Sequence, residues 1–299
     1  MKTIGMDTRI SIKNIVFTTD LSLESYAALP FATDLAKSYG AKVWALHVLP
    51  PPSRPLRSFV ETPTIERDPR EVTREVGEIL GERLQKTGTP YEIVTEHGEP
   101  WKVLSSFIDQ NQIDLVVMGT HGRSGLGKAL LGSFAESVFR QCECPVLTVG
   151  PKTLRLMDQL VEMKRILLAT DFTPASRAAA AYAISLAQEH QSQLVLLHVL
   201  EAPKAGELMT EDEFKEAALR LLRDMVPPEE KLWCDPEPIL RYGSPADCIL
   251  EIAENKEAEL IVLGVRKPER HLGVMTHLGR ATAYRVVCEA PCPVLTVRA

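Results

Sequence analysis

No run in this 299-residue chain approaches the roughly 18 uninterrupted apolar residues that a membrane-spanning helix requires. The opening stretch, MKTIGMDTRISIKN, lacks the apolar core of a secretion signal, so the cytoplasm is the expected compartment. Basic excess is missing too. The formal net charge is −6, which argues against a surface that wraps DNA or RNA. Arg266-Lys267 with Arg270 and His271 is the longest basic cluster, too small to reverse that. Cysteines number only 6, and a chain of this length builds a core without a disulfide framework. Cys142-x-Cys144 and Cys288-x3-Cys292 each stand just before a VLTV run. They read as reduced thiols packed beside a strand, with a paired metal site as the alternative. A Walker lysine followed by Ser or Thr, a nucleophile elbow and a carboxylate dyad are all lacking, so no hydrolytic constellation stands out.

What is present is ordinary globular material, 45% apolar and 25% charged, and it is written twice. KNIVFTTDLSLESYAALPFATDLAKSYGAKVWALHVL (13–49) recurs as KRILLATDFTPASRAAAAYAISLAQEHQSQLVLLHVL (164–200). Lys13/Lys164, Asp20/Asp171, Ala36/Ala187 and His47/His198 correspond at a constant offset of 151. Further on, 97–119 answers 242–264 at an offset of 145, and both halves end in CPVLTV. The repeat divides the chain into a domain at 1–150, a linker at 151–163 and a second domain at 164–299. Leu154, Leu156, Leu160 and Val161 are the linker's apolar anchors.

Within the first half, apolar runs at 14–19, 43–49, 91–98, 113–120 and 145–149 read as strands. Helical patterns lie between them. One runs from a Ser22 cap to Tyr39 and ends at Gly40, with Pro30 bending its early turns. Others cover 66–87, Pro100 to about Gln110, and Gly132 to about Gln141. The order βαβαβαβαβ predicts an α/β fold: two tandem Rossmann-like open sheets, each with five mostly parallel strands and helices on both faces. Such sheets bind ligands beyond the carboxyl ends of their strands, where the winding reverses. Asp20, the segment after Val48, and Gly119 all fall on that edge.

Behind the fourth strand comes GTHGRSGLGKALLGS (119–133). Consecutive backbone N–H groups in a glycine turn form an anion nest, and a helix starting at Gly132-Ser133 adds its own free N–H groups. Lys128 and Arg123 bring positive charge, and Ser133 a hydroxyl. From these residues alone a phosphate site, a structural turn and a protein-contact loop all stay open. The segment is not a P-loop, because Ala129 follows Lys128. Nor is it a dinucleotide fingerprint, which follows the first strand and not the fourth.

The whole chain resembles a tandem universal stress protein. The nucleotide-binding members of that family carry G-x2-G-x9-G-(S/T), matched here by Gly119, Gly122, Gly132 and Ser133. The resemblance implies ATP, or ADP or AMP, with Mg²⁺ accompanying the phosphates. It puts Asp20 at the adenine and ribose, the main chain of Val48 beside adenine, Met118 along the nucleotide, and the glycines and Ser133 at the phosphates and ribose. It implies a stress-response regulator with at most slow ATP hydrolysis. It also implies a pseudo-dimer of the two halves, joined antiparallel through the final PVLTV strands, and a homodimer of whole chains.

Two other functions fit the residues. One is a weak Mg²⁺-dependent ATPase using Lys128 and Arg123. The other is a nucleotide-free interaction or hydrophobic-ligand protein drawing on 50–70. In the second half Lys267 takes the place of Gly122 and Arg280 that of Ser133, so the nest is not kept. That half is then an empty site, a site for another anion held by Arg266, Lys267, His271 and Arg280, or a structural domain. His47 and His198 read as satisfied histidines at the sheet edge, not catalytic bases, and His121 has no identifiable carboxylate partner.

Overall fold

The computed structural model describes residues 10–49, 69–120, 130–156, 161–200, 210–228, 236–266 and 282–299. The first repeat supplies β1 (Asn14–Thr18), β2 (Lys42–Leu49), β3 (Tyr91–His97), β4 (Leu115–Gly119) and β5 (Val146–Val149). The second supplies β6 (Arg165–Ala169), β7 (Gln193–Leu200), β8 (Glu237–Tyr242), β9 (Leu260–Val265) and β10 (Val294–Arg298). Each repeat thus gives its five expected strands, and the two halves join edge to edge through the antiparallel pairing of their final strands expected above. The order is β3-β2-β1-β4-β5-β10-β9-β6-β7-β8, ten strands in all. The pairs are parallel except β5 with β10, where Leu147 lies opposite Leu295. Left apart, β5 and β10 would each present an unpaired edge; joined, they close both. Thr148 Oγ1 donates to Val294 O at 3.1 Å and Thr296 Oγ1 to Val146 O at 3.3 Å, the same contact made twice about a pseudo-twofold axis.

The helices are α1 (Leu23–Tyr26), α2 (Leu29–Tyr39), α3 (Pro69–Gln85), α4 (Pro100–Asn111), α5 (Ser133–Gln141), α6 (Pro174–His190), α7 (Glu211–Asp224), α8 (Pro245–Asn255) and α9 (Thr282–Glu289). They cover both faces of the sheet, so strand residues such as Ile15, Val16 and Phe17 are wholly buried in succession. None among the described residues is long and apolar enough to cross a membrane. The single helix expected over 22–39 is two. Ser22 does cap α1, accepting from Ser25 N at 3.2 Å, and Gly40 ends α2 with φ 64°. Between them the helix breaks, which puts Pro30 in the first turn of α2, where its missing N–H leaves no bond unmade. In the second repeat the matching position holds Ala181, and α6 runs unbroken from Pro174 to His190.

Across the seam, α2 faces α6. Tyr39 Oη and Ser185 Oγ are 3.0 Å apart, and His190 Nε2 lies 3.7 Å from Asp34 Oδ2. Asp34 corresponds to Ser185 and Tyr39 to His190, so one pair of positions again meets twice. The second meeting is too long for a hydrogen bond and leaves both buried atoms without one. Burial pushes the Asp34 carboxyl up, and although His190 and Lys37 pull it back, the net shift is upward from 3.8. An acid raised on folding contributes stability that is present below its unfolded value and lost as pH rises through its folded value. Asp34→Asn, which cannot ionise, is therefore expected to melt above the parent at neutral pH, the gap closing below the ordinary carboxylate range. A melt below the parent's at neutral pH would contradict this account.

On that same face Met163, at the end of the linker, is buried in the core with Val161 packed against it. Leu160 lies outside the described residues.

Candidate functional site

Sheet register assembles the edge. Thr18 pairs with Leu46 on one side and with Met118 on the other. Asp20, Val48 and Thr120 each stand two residues beyond those partners, so they come together from three separate parts of the sequence.

After β1 the chain turns sharply, with Leu21 at φ 65°. A side chain in that region costs on the order of 1 kcal/mol, and local hydrogen bonds offset it. Thr19 Oγ1 accepts from Leu21 N at 2.9 Å and contacts Ser25 Oγ at 2.7 Å. Asp20 Oδ1 accepts from Ser22 N at 3.0 Å and from Ser22 Oγ at 2.5 Å. The aspartate does not itself cap the helix; it orients the serine that does. The second repeat copies the device: Phe172 at φ 59°, Phe172 N on Thr170 Oγ1, and Thr173 donating to Asp171 Oδ1 from N at 3.1 Å and Oγ1 at 2.6 Å. Burial pushes the Asp171 carboxyl up, but the hydrogen bonds from Thr173 outweigh it and hold the group below 3.8.

The two histidines do what the sequence suggests. His47 Nδ1 lies 2.7 Å from Thr19 O, and His198 Nδ1 lies 2.8 Å from Thr170 O. A carbonyl only accepts, so Nδ1 carries the proton in both rings. Each ring pins the turn to the neighbouring strand.

Gly119, the first glycine of the spaced motif, has a role that sequence reasoning missed. A Cβ on it would stand 2.8 Å from Glu24 O and 3.1 Å from Ser25 Cα. A Cβ on Gly264 would meet the backbone of Ala175 and Ser176, 2.5 Å from Ala175 O. Both halves need this glycine so that α1 or α6 can sit on the end of the strand, including the half where the motif is lost. Its recurrence at the offset of 145 was the available signal. Met118 is 2% exposed and packs in the core with Val16 and Leu46, so its side chain faces away from open surface. Val48 is half-buried against the same cluster.

Beyond β4, Thr120 N donates to Val149 O and Gly132 N donates to Thr120 O, both at 3.0 Å. Gly132 therefore lies against Thr120, and α5 begins at the sheet edge. Gly132 is the N-cap residue, with φ −59° and ψ 152° and no side chain to give the first-turn N–H groups. Ser133 follows it, exposed. Gly122, Arg123 and Lys128 lie outside the described residues, as do His121, Lys267, His271, Arg280 and the segment 50–68. Arg266 is described, and its carbonyl accepts from Arg298 Nη1 at 3.4 Å. Among the described residues no three His, Cys, Asp or Glu side chains converge as a metal cluster.

The second half has its own cleft at the matching edge, about 700 Å³, lined in part by Thr170, Asp171, His198, Gly264 and Thr282. This cleft stands in the half where the glycine spacing is lost.

Residues 11–150 and 162–298 each match the model of the universal stress protein family. A universal stress protein of Mycolicibacterium smegmatis is 28% identical over 296 residues, spanning 95% of this chain and 96% of its own. One from Methanocaldococcus jannaschii is 34% identical over 143 residues, spanning 46% of this chain and 81% of its own. The crystal structure of a universal stress protein from Archaeoglobus fulgidus agrees in fold, with a TM-score of 0.72 at 24% identity over 95% of this chain and 98% of that one. The family pattern occurs twice in succession and accounts for nearly the whole length, and the chain belongs to the universal stress protein family as a tandem of two units.

Proposed function

We propose that the N-terminal half binds an adenine nucleotide, ATP foremost with ADP or AMP as alternatives, and that its occupancy regulates a stress response in the cytoplasm. In this reading 1–150 is the nucleotide domain, 151–163 the linker and 164–299 a degenerate copy. The observation that carries it is the start of α5. The first-turn N–H groups and the positive end of a helix stand at the sheet edge behind a cap residue that has no side chain. Phosphate oxygens suit those donors. Gly119 and Gly122 open the turn, Ser133 adds a hydroxyl, and Arg123 and Lys128 carry charge that matches a polyphosphate. Asp20 belongs at the sugar and base, since a carboxylate accepts from hydroxyl and amine groups and repels phosphate. Val48 and Met118 flank the base through the main chain. Mg²⁺, when bound with the nucleotide, neutralises phosphate charge. No residue is assigned a catalytic role.

The test is calorimetric titration of the full chain with ATP, alongside mass spectrometry of small molecules released on denaturing fresh protein. Adenine nucleotide at one per chain is expected. Asp20→Ala is expected to weaken binding about tenfold, the effect of one hydrogen bond to a charged group. A chain that releases no nucleotide and gives no heat with ATP overturns the proposal.

A further inference from the structure

At the opposite end of α5 from Gly132, outside the site above, stand Cys142 and Cys144. Their Sγ atoms are 3.3 Å apart. Cys142 ends α5, its N–H donating to Val138 O at 2.9 Å, and the residue is 1% exposed. Cys144 is half-buried and Glu143 between them exposed, in a stretch that is neither helix nor strand. The guanidinium of Arg298, from the last strand of the other repeat, reaches across the seam to donate to Phe139 O. The contact with Cys144 lowers the Cys142 thiol, and Arg298 adds to this against the effect of burial. The same contact, reinforced by burial, pushes Cys144 up. Either sulfur can donate to the other, and Cys142 Sγ also lies 3.6 Å from Cys144 O, so the two thiols and one carbonyl share a single small cluster.

The second repeat provides a control. Cys292 matches Cys144 before the same PVLTV run, but Ala290 stands where Cys142 would be. Cys292 is 6% exposed, and burial pushes its thiol up to about 12. Packing beside the strand accounts for Cys144 and Cys292 alike. It does not account for a second thiol in contact with the first.

We propose that Cys142 and Cys144 form a reversible oxidation site at which a small hydroperoxide converts the dithiol to an internal disulfide. Cys142 Sγ gives up its proton to water and attacks the terminal oxygen of the hydroperoxide, and the O–O bond breaks. Sulfur is oxidised to the sulfenic acid, and the peroxide leaves as an alkoxide or hydroxide that takes a proton from water. Cys144 sulfur then attacks Cys142 Sγ. An S–S bond forms, the S–O bond breaks, and the Cys144 proton leaves with the hydroxyl as water. The sulfurs must close from 3.3 Å to about 2.0 Å, across a stretch that leaves α5 at Cys142 and joins no strand before Val146. An external dithiol reverses the step by exchange. Hydrogen peroxide, little larger than water, is the hydroperoxide best suited to a pair in which only Cys144 is part-exposed.

The experiment treats the full chain with hydrogen peroxide, blocks remaining thiols, digests without reductant and weighs the peptides. The peptide holding Cys142 and Cys144 is expected to lose two hydrogens and regain them with dithiothreitol, while Cys292 stays alkylatable. In Cys144→Ser the sulfenic acid has no partner, and dimedone is expected to label Cys142. The parent measurement stands whether or not the variant folds. Both thiols remaining alkylatable, direct passage to sulfinic acid without a disulfide, or equal oxidation of Cys292 overturns the proposal. None of these outcomes depends on ATP binding.

Discussion

Gly132→Asp is expected to weaken ATP binding about 100-fold while leaving the fold as stable as the parent or slightly more so. Ser22, Thr173 and Thr210 cap their helices from φ/ψ of −79°/158°, −69°/164° and −71°/158°. Gly132, at −59°/152°, has the same backbone and no side chain. Aspartate fits that conformation without strain and accepts from the first-turn N–H groups, worth about 0.5 kcal/mol over glycine with the dipole included. Those are the donors assigned to phosphate, and the new carboxylate repels what they would otherwise hold. A loss of about 100-fold in affinity, close to 2.7 kcal/mol, is expected. Calorimetry and a thermal melt on the same preparation separate the two effects. Parent-like affinity in a well-folded Gly132→Asp would remove the α5 terminus from the binding site.

Gly264→Ala is the larger perturbation of the fold. A Cβ there would lie 2.5 Å from Ala175 O, against helix backbone that cannot rotate aside. Helix α6 must lift from β9, disturbing the Tyr39–Ser185 contact at the seam. The expected loss is about 3 kcal/mol, seen as a lower midpoint in urea at unchanged slope. Gly119→Ala, with its nearest clash at 2.8 Å, is expected to lose less. If alanine at 264 leaves the midpoint unmoved, the helix is not seated as closely as described.

Much of the architecture was legible because the chain repeats. Comparing the halves separated the retained Asp20/Asp171, His47/His198 and Gly119/Gly264 from the divergent phosphate segment. Strand positions followed from apolar runs, since strands covered on both faces need no polar alternation. The break in the first long helix was half legible: Pro30 announced a disturbance, but its place in a new first turn depends on where Ala27 and Ala28 pack.

By itself the sequence determined two α/β units, their strands, the glycine spacing behind the fourth strand and the loss of that spacing in the second unit. These rest on local patterns of apolarity, capping and turn residues, which act over a few neighbours. Only the tertiary structure decided that Asp34 meets His190 across the seam and that the backbone of Glu24 packs against Gly119. It alone brought Cys142 against Cys144 with Arg298 of the other repeat nearby. Such contacts join residues by distance through space, and no local pattern encodes which surfaces will meet.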